Sequence, residues 1–195
     1  MLSRLIFLMS LIGTCSLNLQ AASTPGGEET PSATFTVDDV QGLLREDRRT
    51  IQRELRARPY LVTNVERDGW TLLHYAAWHG LTDAILALLD QGANLEAQTN
   101  QGNTPFLLAL FNKNDDAADL LLKHGATVDV KAGYNPFAKN SWQPLHYAAE
   151  AGMRKTIIAL LARGARIDAQ TDDGYTPAIL ASLHGHPVAD LLGQL

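Results

Sequence analysis

The stretch TLLHYAAWHG, residues 71–80, decides how the rest of the chain is interpreted. It places a histidine among apolar residues, and a similar stretch, QPLHYAAEAG, occupies residues 143–152. Two more stretches, TPFLLALFNK at 104–113 and TPAILASLHG at 176–185, follow the same residue pattern. The four stretches start at positions 71, 104, 143 and 176, so the first and last intervals are equal and the middle one is six longer. A nearly fixed period of this length indicates stacked units, none of which buries its apolar side alone.

A second motif keeps the same period. LLDQGANLEA (88–97), LLKHGATVDV (121–130) and LLARGARIDA (160–169) repeat the first two of these intervals in the same order. The leucine run predicts the buried stripe of a second helix. The glycine that follows predicts its end, because glycine readily takes a positive φ.

Together these two motifs resemble the ankyrin repeat. The resemblance implies an all-α repeat solenoid, a stack of about five helix-turn-helix units with projecting β-hairpin-like fingers. It also implies that the motif histidine hydrogen-bonds neighbouring loops. Leu107 and Ile179 replace that histidine in two units, so we expect those units to be looser than the units of His74 and His146.

The domain organisation follows from the repeat phase and from composition. We expect a signal peptide at 1–22, a flexible linker rich in Pro, Gly, Ser and Thr at 23–36, and an ankyrin-repeat domain at 37–195. Inside the domain, 37–67 is an N-terminal capping repeat with helices over 37–47 and 48–59. Repeats follow at 68–100, at 101–139 with a six-residue finger insertion, and at 140–172, and a C-terminal capping repeat occupies 173–195.

The first 22 residues have the layout of a secretory signal. Arg4 precedes the apolar run 5–13, and small residues stand near a cleavage point at 21–23. The run is too short for a membrane span of about 20 residues, so we expect export to a bacterial periplasm and no stable span in the mature chain, with an uncleaved anchor as the alternative. Thr14 stands where a lipoprotein box usually has Gly or Ala, so we do not expect lipid attachment at Cys15.

Charge and cysteine content limit the partners. The net charge is −5, and it becomes about −6 if the signal takes Arg4 with it. An acidic chain argues against nucleic acid as a partner. Cys15 is the only cysteine, so a mature chain without it forms no disulfide. Six arginines between Arg45 and Arg58 alternate with acidic residues, which predicts a solvated, salt-bridged face; lipid head groups or an acidic partner are the alternatives.

Several titratable residues are candidates for chemistry. His74 and His146 resemble catalytic bases, but their place in a repeated motif favours a scaffold role. His184 and His186 form half of a zinc site at most, and the pairs Asp115–Asp116 and Asp172–Asp173 stand where a helix or finger begins, which favours capping. No nucleophile, phosphate-binding or metal motif is present, so we predict no enzyme activity, no cofactor and no metal.

Surface side chains are the remaining candidates, and they define what we call the groove face. In ankyrin repeats, the position before the Thr and the two positions after Ala-Ala point into a concave groove. Aromatic residues there are the types enriched at binding hot spots. On this basis the predicted partner-binding residues of the groove face are Trp70, Trp78, His79, Asn103, Phe111, Asn112, Trp142, Glu150, Tyr175 and His184.

The six-residue insertion lengthens one finger to VKAGYNPFAKNSW, residues 130–142. Insertions in repeat arrays map to loops, often on the binding face. Tyr134 and Phe137 have no place in the repeat core, so we predict that they bind a partner together with Trp142.

The function implied by the resemblance is non-catalytic binding of another protein by a monomeric chain. Some exported bacterial ankyrin proteins are linked to peroxide defence as partners of a catalase. Small exported repeat proteins also act as immunity proteins against a delivered toxic enzyme. An effector sent into a host cell is a third hypothesis, which a simple cleavable signal fits less well.

Overall fold

The computed structural model describes residues 42–63, 68–128 and 142–193. The chain divides into two compact units, Met1–Leu44 and Arg45–Leu195. Of the first unit only residues 42–44 are described; they are helical, and Leu43 and Leu44 are buried. Of the helix predicted over 37–47, residues 37–41 lie outside the described residues; 42–44 are helical, but 45–47 form a turn and Asp47 caps the next helix, so the predicted end at 47 is wrong.

The described residues of the second unit form helices joined by turns, with no β-strand among them. Each repeat contributes two short antiparallel helices, and the first helix of one repeat packs on the first helix of the next. The helices are α1 (Arg48–Ala57), α2 (Tyr60–Thr63), α3 (Leu72–His79), α4 (Thr82–Asp90), α5 (Pro105–Phe111), α6 (Asp115–Lys123), α7 (Pro144–Glu150), α8 (Arg154–Ala162), α9 (Pro177–Leu183) and α10 (Val188–Gly193).

The first helix of each repeat begins at the Thr or Gln of the motif. Thr104 Oγ1 accepts a hydrogen bond from the Leu107 backbone N–H (3.3 Å), and Pro105 stands in the first turn, where a missing N–H costs nothing. Gly80 ends α3 in the left-handed conformation (φ 69°). The local sequence alone therefore sets the length of these helices.

Small residues allow the helices to approach closely. Ala76 and Ala77 of α3 and Ala148 and Ala149 of α7 are all 0% exposed. Leucines and isoleucines of the second helices complete the core, among them Ile85, Leu88, Leu121, Ile157 and Leu160. The apolar periodicity of the sequence predicts this core.

The fingers are tight turns rather than paired strands. In the finger after α4, the Thr99 N–H donates to Asn103 O (3.0 Å), and the Asn100 N–H donates to Asp68 O (2.9 Å) of the preceding finger. The equivalent Thr171 N–H donates to Tyr175 O (3.0 Å). The described fingers are therefore hairpin-like only in their turns, and neighbouring fingers hydrogen-bond to each other.

The repeat at the N-terminal side differs from the others. Helix α1 confirms the predicted second helix over 48–59 to within two residues of its end. After it, where the later repeats have a glycine and a finger, Pro59 leads into the short helix α2. A proline cannot take the positive φ that starts a finger, so the chain continues in another helical turn.

Candidate protein-binding surface

Three aromatic rings meet on the groove face of the first full repeat, and we call them the aromatic cluster: Trp70, Tyr75 and Trp78. The Trp70 ring centroid lies 4.8 Å from that of Tyr75 and 6.0 Å from that of Trp78. All three residues are half-buried. Tyr75 was not among the predicted residues, and its motif position does not identify it, because Tyr147 at the same position is buried.

A second aromatic group fills the boundary between two repeats. The Phe111 ring lies 5.2 Å from Tyr147, edge to face, and Trp142 lies 5.0 Å from the same tyrosine. Trp142 is only 8% exposed and Tyr147 only 6%. The expectation that Trp142 stands open in the groove is therefore wrong, because its ring packs onto α7; Phe111 is half-buried.

Asn103 also departs from its predicted place, since it is 2% exposed. Its backbone carbonyl accepts from the Thr99 N–H and lies 3.1 Å from His74 Nε2. Its side-chain Nδ2 lies 3.4 Å from Gln101 Oε1, and in the described part of the chain its Oδ1 accepts no hydrogen bond. Asn103 belongs to the finger scaffold and offers little surface to a partner.

Side-chain amides of one repeat cap the helix of the repeat before it. The Asn114 Nδ2 donates to Ala77 O (3.1 Å) and Trp78 O (2.7 Å), at the last turn of α3. Asn112, which is exposed as predicted, also donates to Trp78 O. These bonds tie the backbone beneath Trp78 to the next repeat, so the ring is presented from a fixed support.

His79 follows Trp78 and is exposed. Partial burial of its ring, and the positive charge of Arg45 beside it, lower the pKa of His79 below its usual 6.5. The imidazole is therefore neutral at pH 7. Arg45 supplies the positive charge at this edge of the aromatic cluster.

The predicted residues of the later repeats are separate from the aromatic cluster. Glu150 is half-buried, Tyr175 is 40% exposed and His184 is exposed. His186 Nε2 lies 3.0 Å from Glu150 O and so repeats the role that Asn114 has at Trp78. His184 Nδ1 lies 3.0 Å from Leu180 O, and both rings thus have backbone partners.

Tyr134 and Phe137 lie outside the described residues, and their predicted contact with a partner stays a prediction. No group of three or more potential metal ligands occurs among the residues that are described. No helix in the same ranges is long and apolar enough to span a membrane.

The two motif histidines are structural. The Thr71 N–H donates to His74 Nδ1 (3.0 Å), so Nδ1 is the unprotonated nitrogen, and Nε2–H donates to Ala97 O (3.1 Å) and Asn103 O (3.1 Å) of the finger. Burial lowers the pKa of His74 to about 4, against the smaller opposing effect of those carbonyls.

His146 repeats the arrangement. The Gln143 N–H donates to its Nδ1 (3.0 Å), and its Nε2 lies 3.0 Å from Ala169 O. Burial likewise lowers the pKa of His146. Each histidine thus joins the start of a first helix to the finger that follows the second helix of its repeat.

The acidic pair Asp115–Asp116 does cap a helix, but one in the next repeat. The Asp115 carboxylate accepts from the backbone N–H of Lys155 (3.1 Å) and of Thr156 (2.9 Å), at the start of α8. Asp116 pairs with the Lys155 ammonium. The predicted capping role is therefore correct. The helix that is capped was not predicted, because the capped N–H groups belong to another repeat.

The arginine-rich segment is partly salt-bridged, as predicted. Arg48 pairs with Asp90 of α4, and Glu54 pairs with Arg58 (2.7 Å) and Arg53 (3.6 Å). These pairs hold α1 against the next repeat and along its own length. Exposed pairs of this kind contribute little individually to stability.

The comparison with known proteins gives the family. The sequence model described as ankyrin repeats (3 copies) matches residues 40–132 and 131–194. The chain belongs to the ankyrin-repeat family. Ankyrin repeats are in general non-catalytic modules for protein–protein interaction, and an all-α repeat solenoid is their fold.

Similar curated proteins are eukaryotic and differ in their stated roles. The probable 26S proteasome regulatory subunit p28 of Saccharomyces cerevisiae is 33% identical over 128 residues, which is 64% of this chain and 54% of that protein. The putative E3 ubiquitin-protein ligase XBAT35 of Arabidopsis thaliana is 34% identical over 115 residues, 58% of this chain and 24% of that protein. Rabankyrin-5 of Mus musculus is 37% identical over 92 residues, 46% of this chain and 8% of that protein. The chain thus spans from under a tenth to about half of these relatives, and the shared part is the repeats.

Proposed function

We propose that the chain is an exported protein of the bacterial periplasm that binds a partner protein through its groove face. The observation that carries the binding site is the aromatic cluster. Trp70, Tyr75 and Trp78 are half-buried, pack ring against ring, and stand on a helix end capped from the next repeat. Rigid, partly buried aromatic rings of this kind are the residues most enriched at binding hot spots.

The surroundings of the cluster indicate what kind of partner fits. At neutral pH the exposed His79 is uncharged, and Arg45 is the cation beside it. An apolar side chain of the partner would pack on the rings, and a neighbouring carboxylate would meet Arg45. We therefore propose a partner that presents an apolar residue next to an acidic one.

The long finger is the second part of the proposed contact. Its insertion and its two aromatic residues, Tyr134 and Phe137, have no role in the repeat pattern. Trp142 is only 8% exposed, so we base the proposed finger contact on Tyr134 and Phe137. The aromatic cluster of the first full repeat is therefore the main proposed anchor for the partner, and the finger adds to it.

Export rests on the layout of residues 1–22. An exported binding module is consistent with an accessory partner of a catalase in peroxide defence and with an immunity protein that blocks a delivered toxic enzyme. A host-directed effector fits the signal less well. Each role uses the same face, so the identity of the partner distinguishes them.

Site-specific photo-crosslinking tests the binding face. A photo-reactive residue at position 79 should trap one partner in living cells, and the same residue at the exposed position 158 should not. In the position-79 chain, Trp78→Ala should lower the trapped amount by about tenfold, the loss of one aromatic anchor. Urea unfolding of each variant confirms that it is folded.

Equal trapping from positions 79 and 158, or no effect of Trp78→Ala, would contradict the groove face as the binding site. The double substitution Tyr134→Ala, Phe137→Ala in the same background tests the finger. Recovery of the chain in the cytosolic fraction would contradict export independently of binding. Mass spectrometry of the trapped partner then chooses between a catalase and a toxin.

A further inference from the structure

The last repeat carries an apolar surface that we call the end face: Ala178, Ile179, Ser182, Leu183 and Ala189. These five residues of α9 and α10 line a shallow depression. Leu183 is 64% exposed and Ile179 43%. Two large aliphatic side chains thus stand open beside three small ones.

Repeat equivalence shows what this surface is. When the motif starts at positions 71, 104, 143 and 176 are aligned, Ile179 corresponds to His146, Leu107 and His74, each of which is 0% exposed. The positions equivalent to Ala178, Ser182 and Ala189 are also buried in the three preceding repeats. The position equivalent to Leu183 is half-buried in each of them. Ala178 corresponds to the buried residues Leu145, Phe106 and Leu73. Ser182 corresponds to Ala149, Leu110 and Ala77, and Ala189 to Thr156, Ala117 and Ala84, which are also buried.

The first helix of each preceding repeat packs on the first helix of the next one. The end face is therefore the surface that every preceding repeat covers with its successor. In the described residues of the last repeat nothing covers it. Compared with the repeat before it, this surface is more apolar, since Ile179 replaces His146 and Leu183 replaces Glu150; the equivalent surface of the Leu107 repeat is also apolar.

We propose that the end face joins two copies of this chain about a two-fold axis. None of its five residues carries a formal charge, so two chains with a net charge of −5 can meet there without like charges in the contact. An isologous interface must be complementary to itself. Large residues beside small ones meet that condition, because Ile179 and Leu183 of one copy can fill the depression over Ala178, Ser182 and Ala189 of the other.

The size of the face sets the strength of the dimer. Stable interfaces bury roughly 800 Å² on each partner. The end face has five residues, only two of them large, so it buries less area than that. We therefore expect a weak dimer that forms as concentration rises. The aromatic cluster lies in the first full repeat, three repeats away, so a dimer would present two such clusters and bind a multivalent partner with avidity.

Sedimentation velocity tests the dimer on the protein as its own cells produce it. For the wild-type chain we expect the weight-average mass to rise toward twice the monomer mass with concentration. Leu183→Glu should weaken association by about tenfold or more, because the two-fold axis brings two like charges together. Ile158→Glu is the matched control: Ile158 is 49% exposed and lies on α8, outside the end face.

A wild-type chain that stays monomeric at about 1 mM, a concentration at which even very weak specific pairs associate, overturns the proposal. So does a Leu183→Glu chain that associates as the wild type does, or an equal loss in Ile158→Glu. Both substituted side chains are exposed, so neither variant is expected to unfold, and urea unfolding checks this.

Cysteine cross-linking tests the two-fold arrangement. Cys15 is the only natural cysteine, so Leu183→Cys in a Cys15→Ser chain has one thiol per copy. In a face-to-face dimer the two thiols meet and oxidise to a disulfide-linked dimer. Ile158→Cys should give at least about tenfold less of it. Equal cross-linking from both positions, or none from position 183, contradicts the proposed interface.

Discussion

Two kinds of repeat alternate along this chain, and they differ at one motif position. In the repeats of His74 and His146 the imidazole joins the start of a first helix to the finger that follows. In the repeats of Leu107 and Ile179 that imidazole link is replaced by an aliphatic side chain, and the bond at the helix start is the one from the Leu107 or Ile179 N–H to the hydroxyl of Thr104 or Thr176. One helical shape is therefore held by a buried polar link in one kind of repeat and by apolar contact in the other.

The comparison shows that the two kinds depend on their neighbours differently. Leu107 is 0% exposed because a further repeat covers it, whereas Ile179 is 43% exposed. His74 keeps one carbonyl partner in its own repeat, Ala97 O, whatever follows; its other carbonyl partner, Asn103 O, belongs to the next repeat. An aliphatic residue at the same position contributes only when the next surface is present.

Acid should act first on the histidine-containing repeats. The pKa of His74 in the folded chain is about 4, against an ordinary 6.5. Between these values the unfolded chain binds more protons, so stability is fully present above pH 6.5 and falls as the pH drops toward 4. The loss from His74 alone is about 3 kcal/mol, and urea unfolding at stepwise lower pH measures it.

Two carboxyl groups behave differently from His74, because their pKa values lie below this pH range. Hydrogen bonds to Thr50 and to Arg48, respectively, lower the pKa values of Asp47 and Asp90, which therefore titrate below this window. His74→Gln should flatten the dependence between pH 6.5 and 4. A variant as steep as the wild type would show that His74 is not the group responsible.

Replacing the histidine by its aliphatic counterpart tests the link directly. His74→Leu copies the repeat of Leu107 but removes the donor to Ala97 O and the acceptor of the Thr71 N–H, while Asn103 O keeps the Thr99 N–H. Buried polar groups that lose a partner cost about 1–3 kcal/mol, so we expect a destabilisation of about 2 kcal/mol in urea unfolding at pH 7. The control Leu107→Met should stay within about 1.5 kcal/mol, and a neutral His74→Leu would mean that the link contributes nothing.

Amide hydrogen exchange should separate the two kinds of repeat. The α9 amides, beside exposed Ile179, should exchange about tenfold faster than those of α7, beside buried His146, a difference of about 1.4 kcal/mol in local opening. Uniform protection would contradict the predicted looseness. If the proposed dimer forms, raising the concentration should slow exchange in α9 and leave α7 unchanged.

The smallest expected effect is at the turn of the Leu107 repeat. Lys113 has a φ of 59°, and Gly80, Gly152 and Gly185 occupy the equivalent turns with φ values of 67–69°. Left-handed backbone costs a non-glycine residue about 1 kcal/mol or more. Lys113→Gly should therefore stabilise the chain by about 1 kcal/mol in urea unfolding. Lys123→Gly, at the last residue of α6, should instead destabilise it, because glycine favours the helix less and the ion pair with Asp119 is lost.

Much of the fold could be predicted because its signals are local. The second helix over 48–59, the Thr-Pro helix starts and the glycine ends each depend on residues within a few positions. The candidate site was harder to predict. Trp70 and Trp142 occupy the same motif position, yet the first is half-buried and the second 8% exposed. Trp142 and Phe111 share Tyr147, whereas Trp70 packs with Tyr75 and Trp78 of its own repeat.

The sequence by itself determined the period, the helix pairs and the family, because regular motif spacing and capping chemistry can be recognised without neighbours. Only the tertiary structure decided which side chains serve the adjacent repeat. Asp115 caps a helix of the next repeat, Asn114 supports the carbonyl of Trp78, and Ile179 and Leu183 of the end face are exposed. The reason is physical: a repeat buries its surface against its successor, so the exposure of each residue depends on a surface outside its own motif.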